Sequence, residues 1–329
     1  MSEQDAIDMT QNAIKEQELD AFNSLGWTKL VAPAKVNLFL GIGARRDDGY
    51  HDALSILHTL NIHDTLYMRR EMAAPGTGLD IKIICTGTKD IKVPTLEPQE
   101  NIAYRAVSAL AKRVGRSEDE VVYVRIEKNI PFQAGLGGGS ADAAAALVGA
   151  AHLWGIDANS AEVEEVARGL GADVPFFLRG GCGCYEGTGD DFSQALQTTK
   201  KTLVLVKPED GMSTAAAYRA FDQNPHMLSE DILQTARQAT TAEDVRLTNN
   251  LAPAAESLLP VLAEVRTWLL QQPGVSDVLL CGSGSCTFAV CDTFEDALAV
   301  VGAARLRGWW SRTTAFGPLR AAVVPQKDR

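Results

Sequence analysis

The chain contains no run of about 18 apolar residues, so no transmembrane helix is expected. Its first residues, Met1-Ser-Glu-Gln-Asp5, offer neither a basic start nor an apolar stretch. A secretory signal is therefore not expected, and a cytoplasmic protein is. Positive charge is scarce: 31 Lys and Arg against 42 Asp and Glu give a net charge of −11. That balance argues against a general nucleic-acid binder, which needs a basic stripe, but leaves room for a local anion pocket. The sequence has no Gly-Lys dipeptide, which removes the Walker A phosphate loop. Six cysteines are present, and their spacing fits no zinc pattern. A chain of this length does not depend on disulfide staples, so they read as free thiols packed as small hydrophobes. No internal repeat or low-complexity tract is evident.

What is present is the composition of a globular protein, 46% hydrophobic over 329 residues, enough for two domains. Residues 1–28 are polar and acidic and read as an N-terminal extension. Strand character runs from Lys29 to Ile42, followed by an Arg45-Arg-Asp-Asp-Gly49 turn. Further strands are expected near 53–60, 64–68, 79–85 and 121–127. Asn101 caps a helix ending near Gly115, and Asn159 or Ser160 caps another reaching Arg168. The second half opens with a short buried strand, Leu203–Val206. Helices follow at 213–221, 228–239, 254–271 and 294–306. Val278–Val290 reads as two strands joined by Gly282-Ser-Gly-Ser285, and a last strand spans 320–324. Without a regular βα alternation, the expected class is α+β with mainly antiparallel sheets.

The strongest local signal is Pro131-Phe-Gln-Ala-Gly-Leu-Gly-Gly-Gly-Ser140, which runs into an alanine-rich helix. Glycines let backbone amides approach a ligand closely, and Ser140 can cap the helix. Unpaired first-turn N–H groups at the positive end of the helix dipole hold a phosphate well. A Rossmann fingerprint would want a glycine where Ser140 stands, and an acidic residue at a strand end about twenty residues on. Asp157 is near that distance but follows a helix.

Residues 131–145 resemble the second motif of the GHMP kinases, the family named for galactokinase, homoserine, mevalonate and phosphomevalonate kinases. Ala32-Pro-Ala-Lys-Val-Asn-Leu-Phe-Leu40 is similar to the first motif of that family, and Leu280-Cys-Gly-Ser-Gly-Ser-Cys-Thr-Phe288 to the third. The resemblance implies a two-domain fold: a ribosomal-protein-S5-like N-terminal domain with a left-handed βαβ crossover (29–192) and a C-terminal α+β domain (193–329). ATP and substrate are expected between them. It further implies that Lys128, Pro131, Phe132, Gln133, Ala134, Gly135, Leu136, Gly137, Gly138, Gly139, Ser140 and Ala141 lie on the ATP side. Mg²⁺ is expected with the nucleotide, without an assigned protein ligand.

Three further segments, Arg46-Asp-Asp-Gly-Tyr-His51, Gly135–Ala144 and Gly171-Ala-Asp-Val-Pro-Phe176, resemble one branch of the family. That branch phosphorylates a cytidine diphospho sugar alcohol. Asp173 then matches the base and Lys35 the paired cation, which together could take the hydroxyl proton and stabilise developing charge. Pro175 is expected to hold the chain extended after Asp173. Asn37 is expected near the substrate, with Tyr50, His51 and Tyr218 around the pyrimidine. Two other readings stay open on sequence: a GHMP kinase of the homoserine or mevalonate type, and a non-catalytic metabolite sensor on the same fold.

Overall fold

The computed structural model describes residues 26–88 and 90–325. Most of the expected N-terminal extension therefore lies outside the described residues. Two sheets organise the rest. The first is built on two long strands, β1 (Thr28–Arg45) and β2 (His51–Met72), paired antiparallel through the turn at Gly49, whose φ is 86°. The separate strands expected at 53–60 and 64–68 are thus one. The sequence there alternates around Asn61 and His63 without a breaker, and β-bulges absorb the register changes. β3 (Leu79–Gly87) and β4 (Glu120–Lys128) lie parallel to each other, and α1 (Ile102–Arg113) connects them. Asn101 caps α1 as expected, its side chain accepting from the Ala103 N–H.

α2 (Gly138–Trp154) is the buried centre of this half. Its alanines leave no bulk on any side, so it can pack against α1, β1 and β2 at once. Gly155 closes it in a left-handed conformation. α3 (Ala161–Leu170), capped by Ser160, leads to α4 (Val174–Arg179), then to β5 (Cys182–Glu186) and β6 (Asp191–Leu196). β5 joins the first sheet beside β2.

The second sheet comprises β7 (Thr202–Lys207), β9 (Val275–Leu280), β10 (Thr287–Cys291) and β11 (Trp310–Ala315), all antiparallel in the order β11-β7-β10-β9. It is buried on both faces, and the alternation of its strands shows this directly. Leu203, Leu205, Phe288 and Val290 pack toward Val36, Ile56 and Leu60 of the first sheet. Val204, Val206, Ala289 and Cys291 pack instead under the helices α8 (Val261–Leu270) and α9 (Phe294–Leu306).

α5 (Thr214–Gln223) and α6 (Glu230–Arg237) follow β7, and two short strands, β8 (Thr248–Asn249) and β12 (Ala322–Val323), return from the second half to pair with β1. The helix expected over 254–271 is two: α7 (Ala252–Leu258) precedes α8, with the break at Leu259-Pro260. The residue before a proline is driven out of the helical region, and Leu259 sits at φ −134°, ψ 83°. β11 was not visible in the sequence because Trp310-Ser-Arg-Thr-Thr-Ala315 is too polar to alternate clearly. The six cysteines are free. Burial pushes the Cys182 thiol up to about 12 and Cys184 to about 11, so both are poor nucleophiles.

Candidate active site

The bulges of β1 frame the first polar groups. Between irregularities at Pro33/Lys35 and Asn37/Phe39, residues 35 and 37 share one face of the strand. Lys35 is only 5% exposed. Its ammonium donates to Asn37 Oδ1 at 2.9 Å, and the Asn37 amide donates to Ser55 Oγ of β2 at 2.8 Å. The same ammonium lies 3.4 Å from Asp173 Oδ2. Asp173 precedes α4 as its N-cap, yet its side chain makes no capping bond. The carboxylate is therefore left to Lys35 and to the space in front of it. Pro175 does not extend the chain as the sequence led one to expect. It occupies the first turn of α4, where its missing N–H would have no helical partner in any case.

The glycine loop crosses above this pair. The Lys35 backbone N–H donates to the Leu136 carbonyl at 2.9 Å, fastening the loop to the strand. The helix that follows is capped by Gly137, not by Ser140: Gly137 adopts φ 72°, and the first helical bond runs from Ala141 N–H to its carbonyl. A left-handed turn lets the chain enter the helix three residues earlier than a serine cap would. The N–H groups of Gly138, Gly139 and Ser140 consequently form the open first turn of a 17-residue helix. Gly135 is required for a different reason. A Cβ there would lie 1.8 Å from the Cys281 carbonyl oxygen, because the loop joining β9 to β10 is laid directly against it. Backbone bonds from Ser285 N–H to Gln133 and from Cys286 N–H to Ala134 lock the two loops together.

These elements enclose a cavity of about 1160 Å³. Lys35, Asn37, Ser55, Asp173 and Tyr218 line it, together with residues 131–140 and 282–284. Ile83, Ile91 and Pro94 also line it, together with Asn101 and Lys128. All ten loop residues from Pro131 to Ser140 face the cavity, whereas Ala141 is buried behind it.

Lys128 has company that the sequence did not reveal. Its ammonium donates to Asp64 and, at 2.5 Å, to Asp142 of α2. Asp64 also accepts the backbone N–H groups of Asn129 and Ile130, so it organises the entry to the glycine loop. Burial opposes the charge on Lys128, but the two carboxylates outweigh it and hold the ammonium above its ordinary range. Burial, with Asp64 close by, pushes the Asp142 carboxyl up to about 8 against the opposing pull of Lys128. Asp142 Oδ1 is buried without a hydrogen-bond partner.

The residues expected around the pyrimidine are only partly gathered. Tyr218 of α5 lines the cavity. His51 sits behind it, ring centroids 5.3 Å apart, with its Nε2 on Asp222 Oδ1 at 2.7 Å. Tyr50 is 65% exposed on the β1–β2 turn, and neither it nor His51 lines the cavity. Ser55, Asp142 and the Met212–Thr214 segment face the cavity without having been singled out in the sequence. The glycine-serine repeat at 282–285 was the one available signal for the third wall.

The family model described as "GHMP kinases N terminal domain" matches residues 101–181, and "GHMP kinases C terminal" matches 229–308. The 4-diphosphocytidyl-2-C-methyl-D-erythritol kinase of Desulfitobacterium hafniense is 39% identical over 285 residues, covering 85% of this chain and 93% of that protein. The chain belongs to that family of GHMP kinases. A Streptomyces coelicolor kinase of the same name is 34% identical over 89% of this chain and 97% of its own length. Among solved structures, a 4-(cytidine 5'-diphospho)-2C-methyl-D-erythritol kinase superposes with a TM-score of 0.68 at 30% identity, covering 88% of this chain and all of the other. Homoserine kinase from Cytophaga hutchinsonii reaches a TM-score of 0.66 at 16% identity, over 92% of this chain and 99% of that one. That likeness speaks for the fold alone. The chain is thus a kinase with the two-domain GHMP architecture, and among its described residues no helix is long and apolar enough to cross a membrane.

Proposed function

We propose that this enzyme transfers the γ-phosphoryl group of ATP to the 2-hydroxyl of 4-diphosphocytidyl-2-C-methyl-D-erythritol, a step of non-mevalonate isoprenoid synthesis. The observation that carries the reading is the Lys35–Asp173 pair at 3.4 Å, facing the same cavity as the open N-terminus of α2. Asp173 accepts the hydroxyl proton as the alcohol oxygen bonds to phosphorus and the bond to ADP breaks. Lys35, held by Asn37 and Ser55, keeps the carboxylate in place and offsets charge on the reacting oxygens. The amides of residues 138–140 cradle phosphate oxygens. The apolar lining residues Ile83, Ile91 and Pro94 suit a nucleobase, with Lys128 close to Gly138 of the phosphate loop.

Asn37 and Tyr218 are assigned to the alcohol substrate, Tyr218 as one stacking face for cytosine and His51 as the group that backs it. Tyr50, a residue of the exposed turn, is assigned to the same substrate. Among the described residues no group of three or more His, Cys, Asp or Glu could hold a metal ion. Mg²⁺ is assigned to the nucleotide phosphates, which commonly carry the ion with few protein ligands. When bound, the ion neutralises phosphate charge, and no protein ligand is assigned to it. The free cysteines support a cytoplasmic location.

A substrate panel following ADP release tests the reading. Turnover with the cytidine diphospho substrate is expected, with homoserine and mevalonate inert. Turnover on either of the latter alone would overturn the substrate assignment.

A further inference from the structure

Two adjacent buried asparagines join the halves of the molecule, and they do so differently. β8 arrives from the second half and pairs parallel with β1, Phe39 opposite Thr248 and Leu40 opposite Asn249. This contact begins two residues beyond Asn37, on the strand that carries Lys35. Asn249 is 8% exposed and Asn250 5%.

The Asn249 side chain turns toward the second sheet. Its Nδ2 donates to the Leu280 carbonyl at 3.0 Å and to the Gly282 carbonyl at 2.8 Å, while its Oδ1 accepts the Leu251 N–H at 3.0 Å. Both amide hydrogens are thus spent on the first residues of the 280–286 segment. Asn250 turns the other way. It brackets Ile42, accepting its N–H at 2.8 Å and donating to its carbonyl at 2.9 Å, and it also donates to the His226 carbonyl.

Gly282 is where this fastening meets the chemistry. It has φ 54°, and a Cβ built there would lie 3.4 Å from Asn37 Oδ1 and 3.6 Å from the Lys35 ammonium. The backbone of Gly282 is therefore a wall of the same polar pocket that holds Lys35. Its position is fixed from one side by Gly135 and from the other by Asn249.

We infer that Asn249 is a positioning residue for phosphoryl transfer, holding the Gly282–Ser285 loop at the distance from Lys35 that the reaction requires. The inference rests on the reading of that pocket as the phosphoryl-transfer site. Positioning errors of about 1 Å at a reacting centre cost on the order of a hundredfold in rate. The loss should fall on the chemical step, since Asn249 itself is not among the residues lining the cavity.

The test compares N249A with N250A, two truncations of neighbouring buried asparagines that carry similar numbers of hydrogen bonds. Thermal melting reports the structural cost of each, and steady-state kinetics with ATP and the cytidine diphospho substrate reports kcat and KM separately. Both variants are expected to melt lower than wild type. N249A is expected to lose kcat by roughly tenfold to a hundredfold, with KM for the alcohol within about twofold. N250A is expected to keep kcat within about twofold at a temperature where it is folded. Should N249A fail to fold, N249L carries the same comparison, because it nearly keeps the volume, loses the donor pair and sets no second acceptor against the two carbonyls. Equal kcat in the Asn249 variants and wild type, or kcat losses that track melting temperature in both asparagines, would overturn the inference. An inactive wild type would instead overturn the proposed function.

Discussion

Two lysines stand in one cavity in opposite circumstances. Lys35 has a single carboxylate partner, at 3.4 Å, whose side chain is 32% exposed to the cavity. Lys128 is clamped between Asp64 and Asp142, both buried, with contacts at hydrogen-bond length. The first pair is loosely coupled and open to a third party, as the proposed proton transfer requires. The second is closed on itself beneath the glycine loop, with the Asp142 carboxyl held up to about 8 by burial. The lesson is that exposure to a cavity does not make a charged group reactive; what matters is whether its partners leave it a free direction.

The largest expected contrast is catalytic. D173N and K35A should each lower kcat by roughly 10²–10⁴-fold, the range for removing a general base or its electrostatic support, with melting temperature little changed. Comparable turnover to wild type in both would collapse the distinction between the two lysines. K128M should do the reverse. It leaves two buried carboxylates without their cation, and breaking such a cluster costs about 3–5 kcal/mol, readable by urea denaturation.

A finer contrast lies in pH. The Asp142 carboxyl, raised to about 8, binds a proton more tightly when folded than when unfolded, where a carboxyl titrates near about 4. Its contribution to stability is therefore full at low pH and is lost as pH rises toward 8. His58 acts with the opposite sign. Burial lowers it to about 4, so stability falls as pH drops from about 6.5 through that value. Above pH 6.5 the His58 effect fades, so wild type should melt lower at pH 8 than at pH 6.5, and D142N should show less of that dependence. A D142N profile parallel to wild type would place the ionisation elsewhere. The smallest effect is expected at the Lys92–Glu209 pair, 93% and 83% exposed, where K92A should leave melting unchanged.

Much of the site was legible because its parts are local. The glycine loop and the Asn101 cap each follow from a few consecutive residues whose backbone demands are distinctive. Even there, the choice of Gly137 over Ser140 as cap depended on the loop being pinned by Lys35 N–H and by the 281–286 segment. Asp64 gave no signal at all. It lies within an ordinary alternating strand, and its role comes from reaching Lys128, 64 residues later. Pro175 was misread because a proline is equally at home in an extended segment and in a first helical turn, and the packing of Phe176 and Phe177 into the core selects the helix.

The sequence by itself determined an anion-binding loop without a Walker lysine, and its resemblance to the GHMP kinases singled out one acid and one lysine. Only the tertiary structure decided that Lys35 and Asp173, 138 residues apart, meet, and that Lys128 is spent on two carboxylates. The physical reason is that periodicity and turn propensity act over a few residues. The distance between Lys35 and Asp173 is set by bulges in β1, the seating of α2 and a loop returned from the second sheet.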